Sequence, residues 1–219
     1  MENQFDAKGA ITPANGKNIK IHCLNIIGQI EGHMILPPQD KTTKYEYILP
    51  QLAAIEQDEE VEGLLVLLNT AGGDVEAGLA ISEMIAGMRK PTVSLVLGGG
   101  HSIGVPLAVS TDYSFIARSA AMTLHPLRMN GMVIGVMQTF DYLNKIQDRI
   151  VSFIADHSKI SKEDFNTLML KTGEIANDVG SIVFGEKAVE CGLIDSVGGL
   201  GDALDKLREL IDKQGGAKK

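Results

Sequence analysis

Residues 63–68, Gly-Leu-Leu-Val-Leu-Leu, are an apolar run too short for a stable helix, the pattern of a strand covered on both faces. Residues 92–97 (Thr-Val-Ser-Leu-Val-Leu) repeat it. Residues 19–30 alternate and then thicken into an apolar run, a strand interrupted at Gly28. Both short runs end in glycine-rich chain: Asn69-Thr70-Ala71-Gly72-Gly73-Asp74 after the first, Gly98-Gly99-Gly100-His101-Ser102 after the second. Helical spacing follows each, over 75–88 and 103–110. Strand, glycine turn and helix, twice over, predict right-handed βαβ units around a mostly parallel sheet. Chemistry in such sheets gathers at the carboxyl ends of strands, where both glycine turns fall.

Around this unit the pattern is less regular. Residues 31–39 hold Gly32, Pro37 and Pro38 and read as loop. From Thr42, the spacing of Tyr45, Ile48, Leu49, Leu52 and Ile55 predicts a helix that Pro50 either kinks or begins. Short strands are expected at 112–116 and 121–124, and a glycine-spaced apolar strand or loop at 131–135. Val136, Phe140, Leu143, Ile146, Ile150 and Ile154 recur at steps of three and four, the stripe of a long helix over 136–157. Such a helix is about 30 Å long, enough to project from a small domain and meet another subunit. Ser161 is a fitting N-cap for a helix over 165–170. A short helix at 185–190, a strand at 193–195 and a terminal helix at 202–212 complete the chain. With no repeat or linker, one domain spans 19–213, between an arm (1–18) and a tail (214–219).

Composition narrows the function. At 219 residues, 44% hydrophobic and 22% charged, the chain is long enough for a full core and reads as soluble. A net charge of −8, with no basic cluster, argues against a nucleic-acid surface. Neither a targeting segment nor an apolar run near the ~20 residues of a membrane span is visible, so the expected location is cytoplasmic. Cys23 and Cys191 sit in apolar contexts and read as buried free thiols. The five histidines are dispersed, without metal-ligand spacing. The glycine turns lack both the Lys-Ser/Thr of a phosphate loop and the third glycine of a dinucleotide fingerprint. No metal and no cofactor are expected.

Nucleophilic catalysis remains. Gly100-x-Ser102-x-Gly104 is formally a nucleophile-elbow pattern, a weak signal alone. A serine nucleophile needs a base, and His125 stands where the 121–124 strand exits, although a solvated loop histidine is an equally simple reading. His101 is adjacent to Ser102, but its side chain should diverge, making it a wall or positioning residue. An oxyanion needs backbone N–H donors, and Gly73 and Ile103 are placed to supply them. Without a nucleophilic Ser102, both turns are plain βα connections.

These residues together resemble a known family. Asn69-Thr70-Ala71-Gly72-Gly73 is similar to the Asn-Ser-Pro-Gly-Gly turn of the ClpP serine peptidases, and Gly100-His101-Ser102-Ile103-Gly104 to their Ala-Ala-Ser-Met-Gly turn. Met122-Thr123-Leu124-His125-Pro126-Leu127 resembles their Met-Ile-His-Gln-Pro-Leu. Residues 28–33 (GQIEGH) and 188–195 (AVECGLID) match the first-strand and late-helix signatures. Order and spacing agree from about residue 24 to residue 197. The resemblance implies an α/β, ClpP/crotonase-like fold of stacked βαβ units with a projecting handle helix. It also implies a serine endopeptidase with Ser102 as nucleophile, His125 as base, Asp178 as the acid, and the Gly73 and Ile103 amides as oxyanion hole. Asp178 requires an insertion of about two residues. Peptide or unfolded-protein substrates and a homo-oligomeric ring follow, the 136–157 helix corresponding to the handle through which stacked rings touch.

The departures are informative. Thr70-Ala71 replaces Ser-Pro, His101 replaces alanine, and one residue is missing between His125 and Pro126. Residues 128–136 are more apolar than the family's substrate-flanking segment, which bears on the groove and on coupling to an AAA+ unfoldase. The sequence is most similar to the translocation-enhancing, TepA-type branch, associated with protein export. Three other readings stay open. One is an SppA-like signal-peptide peptidase using a Ser–Lys pair. Another is an assembly protein without turnover, and the third is a crotonase-type acyl-CoA enzyme, which would not need Ser102.

Overall fold

The computed structural model describes residues 19–129, 131–173 and 179–217. The expected arm (1–18) and Asp178 lie outside the described residues. The apolar runs become the centre of a sheet ordered β2-β1-β3-β4-β5-β8. Its strands are β1 (Lys20–Glu31), β2 (Thr42–Lys44), β3 (Val61–Gly73), β4 (Thr92–Gly100), β5 (Tyr113–Ile116) and β8 (Ser196–Val197). All of these pairings are parallel. β6 (Ala121–Leu124) pairs with the end of β4 at Gly99↔Ala121 and runs antiparallel to β7 (Ser181–Phe184).

Burial on both faces explains why the centre of β3, residues 63–68, is apolar without alternation. Leu64, Val66 and Leu68 face one layer, Leu65 the other, and all four are wholly buried. The first layer is built by α1 (Tyr45–Gln57), α2 (Val75–Ala86) and α3 (Gly104–Val109), whose Leu52, Ile81 and Leu107 are buried in one cluster. The second is α7 (Leu200–Ala217), which seats Ala203, Leu204, Leu207 and Ile211 against Ile21, Leu65, Val93 and Leu95. The remaining helices are α4 (Val136–Asp156), α5 (Lys162–Met169) and α6 (Gly185–Glu190).

Several expectations are corrected. The two glycine stretches are not turns: β3 runs to Gly73 and β4 to Gly100 as extended strand, because the missing side chains let neighbouring backbone close in. A Cβ on Gly73 would stand 2.2 Å from the Ile30 carbonyl oxygen. Thr42–Lys44 is strand rather than the start of a helix. It is pinned where Thr43 Oγ1 donates to the Ile27 carbonyl and accepts the Ile27 N–H, and the helix then runs from Tyr45 through Pro50. Residues 193–195 are not strand, because the N–H groups of Leu193 and Ile194 both cap α6 at the Ala188 carbonyl; the strand begins at Ser196. Of the two alternatives for 131–135, the loop is the one observed. The terminal helix extends to Ala217. Cys23 and Cys191 are free but only half-buried, and burial pushes both thiols up.

The long helix α4 divides in two. Ile146, Val151, Phe153 and Ile154 in its second half are buried, whereas Val136, Met137, Phe140 and Tyr142 at its start are exposed. Among the described residues, no helix is long and apolar enough to cross a membrane.

Candidate active site

Ser102 follows the end of β4 with φ +56°, and it alone among the described non-glycine residues has positive φ. A serine holds that backbone only where the surroundings impose it. They do so through three hydrogen bonds. The His101 N–H donates to the Thr70 carbonyl at 3.2 Å, and the Ser102 N–H to the Thr123 carbonyl at 2.9 Å. The Gly104 N–H then donates to the His101 carbonyl at 2.8 Å and starts α3.

The end of β3 lies against this turn. Gly72, at φ +88°, leaves no room for a side chain: a Cβ there would be 2.7 Å from Ser102 Cβ and 2.8 Å from the His101 carbonyl oxygen. Thr70, buried, shapes this approach. Its hydroxyl donates to the Gly28 carbonyl at 2.6 Å and accepts the Gly72 N–H at 3.0 Å. Asn69 Oδ1 accepts the Gly99 N–H at 3.0 Å, tying the ends of β3 and β4. Asp74 caps α2 by accepting the Ala77 N–H.

β6 delivers the histidine. Its buried Met122 and Leu124 anchor it in the core, and the chain leaves the sheet at half-buried His125. The imidazole Nδ1 lies 2.8 Å from the Pro126 carbonyl oxygen, an acceptor only. Nδ1 is therefore the donor, and the neutral ring with its proton there has its lone pair on Nε2, the tautomer a general base requires.

Ser102, Ile103, Gly73 and His125 all line one cavity of about 120 Å³. Its floor is apolar: Val105, Leu124, Ile150, Ile154, Phe165 and Met169. Gln147 closes one side, accepting the Leu127 N–H at 2.6 Å. Four of the five expected site residues are thus gathered at one place. Among the described residues no carboxylate lines the cavity, and Asp178 lies outside them. Asp195 is otherwise engaged: Lys159 Nζ is 2.8 Å from one oxygen, while the other accepts the Ser114 N–H and hydroxyl. Burial alone would raise its pKa, but these partners hold it below the ordinary aspartate value.

The N–H of Ile103 has no acceptor among the described residues. Two further contacts to the site were not expected from the sequence. Thr123 is the polar residue between apolar Met122 and Leu124, and its amide and hydroxyl both meet His101 Nδ1, at 3.1 and 2.8 Å. Burial, and then the neighbouring His125, push the His101 pKa down, so its imidazole is neutral. Among the described residues no group of three or more His, Cys, Asp or Glu side chains is placed to hold a metal ion.

The chain has known relatives. The Clp protease family model matches residues 18–200. The translocation-enhancing protein TepA of Halalkalibacterium halodurans is 64% identical over 194 residues, covering 89% of this chain and 76% of that protein. A putative protease of Methanocaldococcus jannaschii is 27% identical over 83% of this chain, which spans 66% of that protein's length. The ATP-dependent Clp protease proteolytic subunit of Leuconostoc citreum is 29% identical over 51% of this chain and 58% of its own.

Proposed function

Since the chain belongs to the Clp protease family, in its TepA branch, we propose that it is a serine endopeptidase acting on peptides or unfolded segments. The observation that carries this reading is the shared cavity: a backbone-strained Ser102 opens onto the same space as a His125 whose tautomer is already set. In the proposed reaction His125 Nε2 takes the Ser102 proton as Oγ attacks the scissile carbonyl. The developing oxyanion is met by the amides of Ile103 and Gly73, in a site that excludes water on its apolar side. The protonated imidazole then passes its proton to the leaving amine, and water repeats the sequence on the acyl-enzyme. Asp178 is assigned the role of stabilising the imidazolium. The apolar floor favours an apolar side chain next to the cleaved bond.

The test is a fluorophosphonate probe, which captures activated serines covalently. The protein should be labelled once, at Ser102, at neutral pH, and Ser102→Ala should not be labelled. Equal labelling of both, or none of either, rejects the peptidase reading.

The chain is further proposed to work in the cytoplasm as a homo-oligomeric ring, alone or with an AAA+ unfoldase. A role in protein export is carried over from the TepA relative's name. The exposed apolar side chains at the start of α4 support an oligomer, since an uncovered patch of this kind marks an interface. Light scattering at micromolar concentration should give a mass of several chains. A monomer would remove the ring.

A further inference from the structure

We propose that His101 is a positioning residue: its imidazole Nδ1 replaces a backbone carbonyl in the β4–β6 ladder and so holds the base-bearing strand to the serine turn. Its effect on turnover rests on the peptidase reading above; the tie itself does not.

The argument begins with register. β4 and β6 pair in parallel at Gly99↔Ala121, and two residues further on the same register sets His101 opposite Thr123. In a parallel ladder a residue bonds to the two neighbours of its partner. Thr123 should accept from the Ser102 N–H and donate to the Gly100 carbonyl. The first bond is present, at 2.9 Å. For the second, the chain has already begun to turn at Ser102, and the Thr123 N–H donates instead to His101 Nδ1 at 3.1 Å. A side chain completes the rung that the backbone abandons.

The chemistry fixes the protonation state. A backbone N–H only donates, so Nδ1 is an acceptor and the neutral ring carries its proton on Nε2. A protonated ring would set N–H against N–H. The room for the ring comes from Gly99, where a Cβ would be 2.5 Å from His101 Nε2. Among the described residues the other groups against the ring are uncharged: Thr70, whose carbonyl accepts the His101 N–H, and the Thr123 hydroxyl at 2.8 Å from Nδ1. His125 is the titratable neighbour that bears on it.

The consequence is geometric. Ser102 is next to His101 in sequence, and His125 lies two residues beyond Thr123. The two bonds on Thr123 are thus a clamp between nucleophile and base. Removing the acceptor leaves the Thr123 N–H without a partner and frees β6 to shift against the turn, and small misplacements of reacting groups cost rate steeply.

The test uses the full ¹⁵N-labelled chain with His101→Ala and His101→Asn, since an asparagine Oδ1 can offer the same acceptor. Amide hydrogen exchange at Thr123 and Ser102 should quicken about tenfold or more in the alanine variant, and probe labelling of Ser102 should slow about tenfold. The asparagine variant should restore both to within about twofold. Unchanged exchange in His101→Ala, or no rescue in a folded His101→Asn, overturns the proposal. If the alanine variant does not fold, the imidazole ¹⁵N spectrum of the parent decides: a proton on Nδ1 near neutral pH overturns the tie, and a bare Nδ1 supports it. Should the parent take no probe at all, the peptidase reading falls, while the exchange comparison still decides the clamp.

Discussion

Gly72→Ala should leave the protein folded and Ser102 unreactive. The new methyl carbon has nowhere to go: one neighbour within 2.8 Å is the Ser102 Cβ and the other is the His101 carbonyl, neither of them the free end of a flexible chain. Gly72 also has φ +88°, which costs a residue with a side chain about 1–2 kcal/mol in itself. A stability loss of that order is survivable for a domain with two well-filled apolar layers. The serine turn, however, must move away from the cavity, and a displacement near 1 Å costs about 10²-fold in rate. Probe labelling should therefore fall by at least about two orders of magnitude, with a melting transition still cooperative. Labelling at the parent's rate would mean that Ser102 does not depend on this contact, and the site as described would be wrong.

The second large effect is at the base. His125→Gln keeps a polar side chain of similar reach but cannot take a proton, so probe labelling and peptide hydrolysis should fall by about 10²–10⁴-fold. High residual activity would transfer the role to a lysine, as in the Ser–Lys peptidases, and the Ser–His reading would be withdrawn. Asp178→Asn is the companion measurement. Loss by orders of magnitude assigns the acid; a mild effect leaves the Pro126 carbonyl, 2.8 Å from Nδ1, as what orients the imidazole.

How much of this was legible in the sequence varies by element, for physical reasons. The central strands and the helices after them were readable because burial on both faces, or on one helical stripe, writes a strong local period. The glycine stretches misled. Glycine is a poor strand former on its own account, yet at Gly73 and Gly99 extended chain persists because Ile30 and the His101 ring press where a side chain would stand. β7 was not anticipated at all. Four residues carry little periodicity, and β7 exists because it pairs with β6, a partner far earlier in the chain. The three-residue β2 is hidden inside a helical pattern for the same reason.

In the site, Ser102 and His125 were found through motifs, whereas their meeting depends on the junction of β6 with the end of β4, which no local pattern encodes. Thr123 is the clearest omission. In sequence a threonine between two buried apolar residues looks like the solvent side of a strand, and only the His101 ring opposite it shows otherwise.

The backbone at Ser102 carries a thermodynamic consequence of its own. Positive φ is cheap for glycine and dear for serine, so this residue draws down the folding free energy of every molecule, whether or not substrate ever arrives. On the peptidase reading, stability and reactivity are therefore opposed at one position. A lineage that lost the need for the serine would gain stability from the simplest replacement, glycine, with the surrounding hydrogen bonds intact. An inactive, more robust descendant is a short step away from this fold.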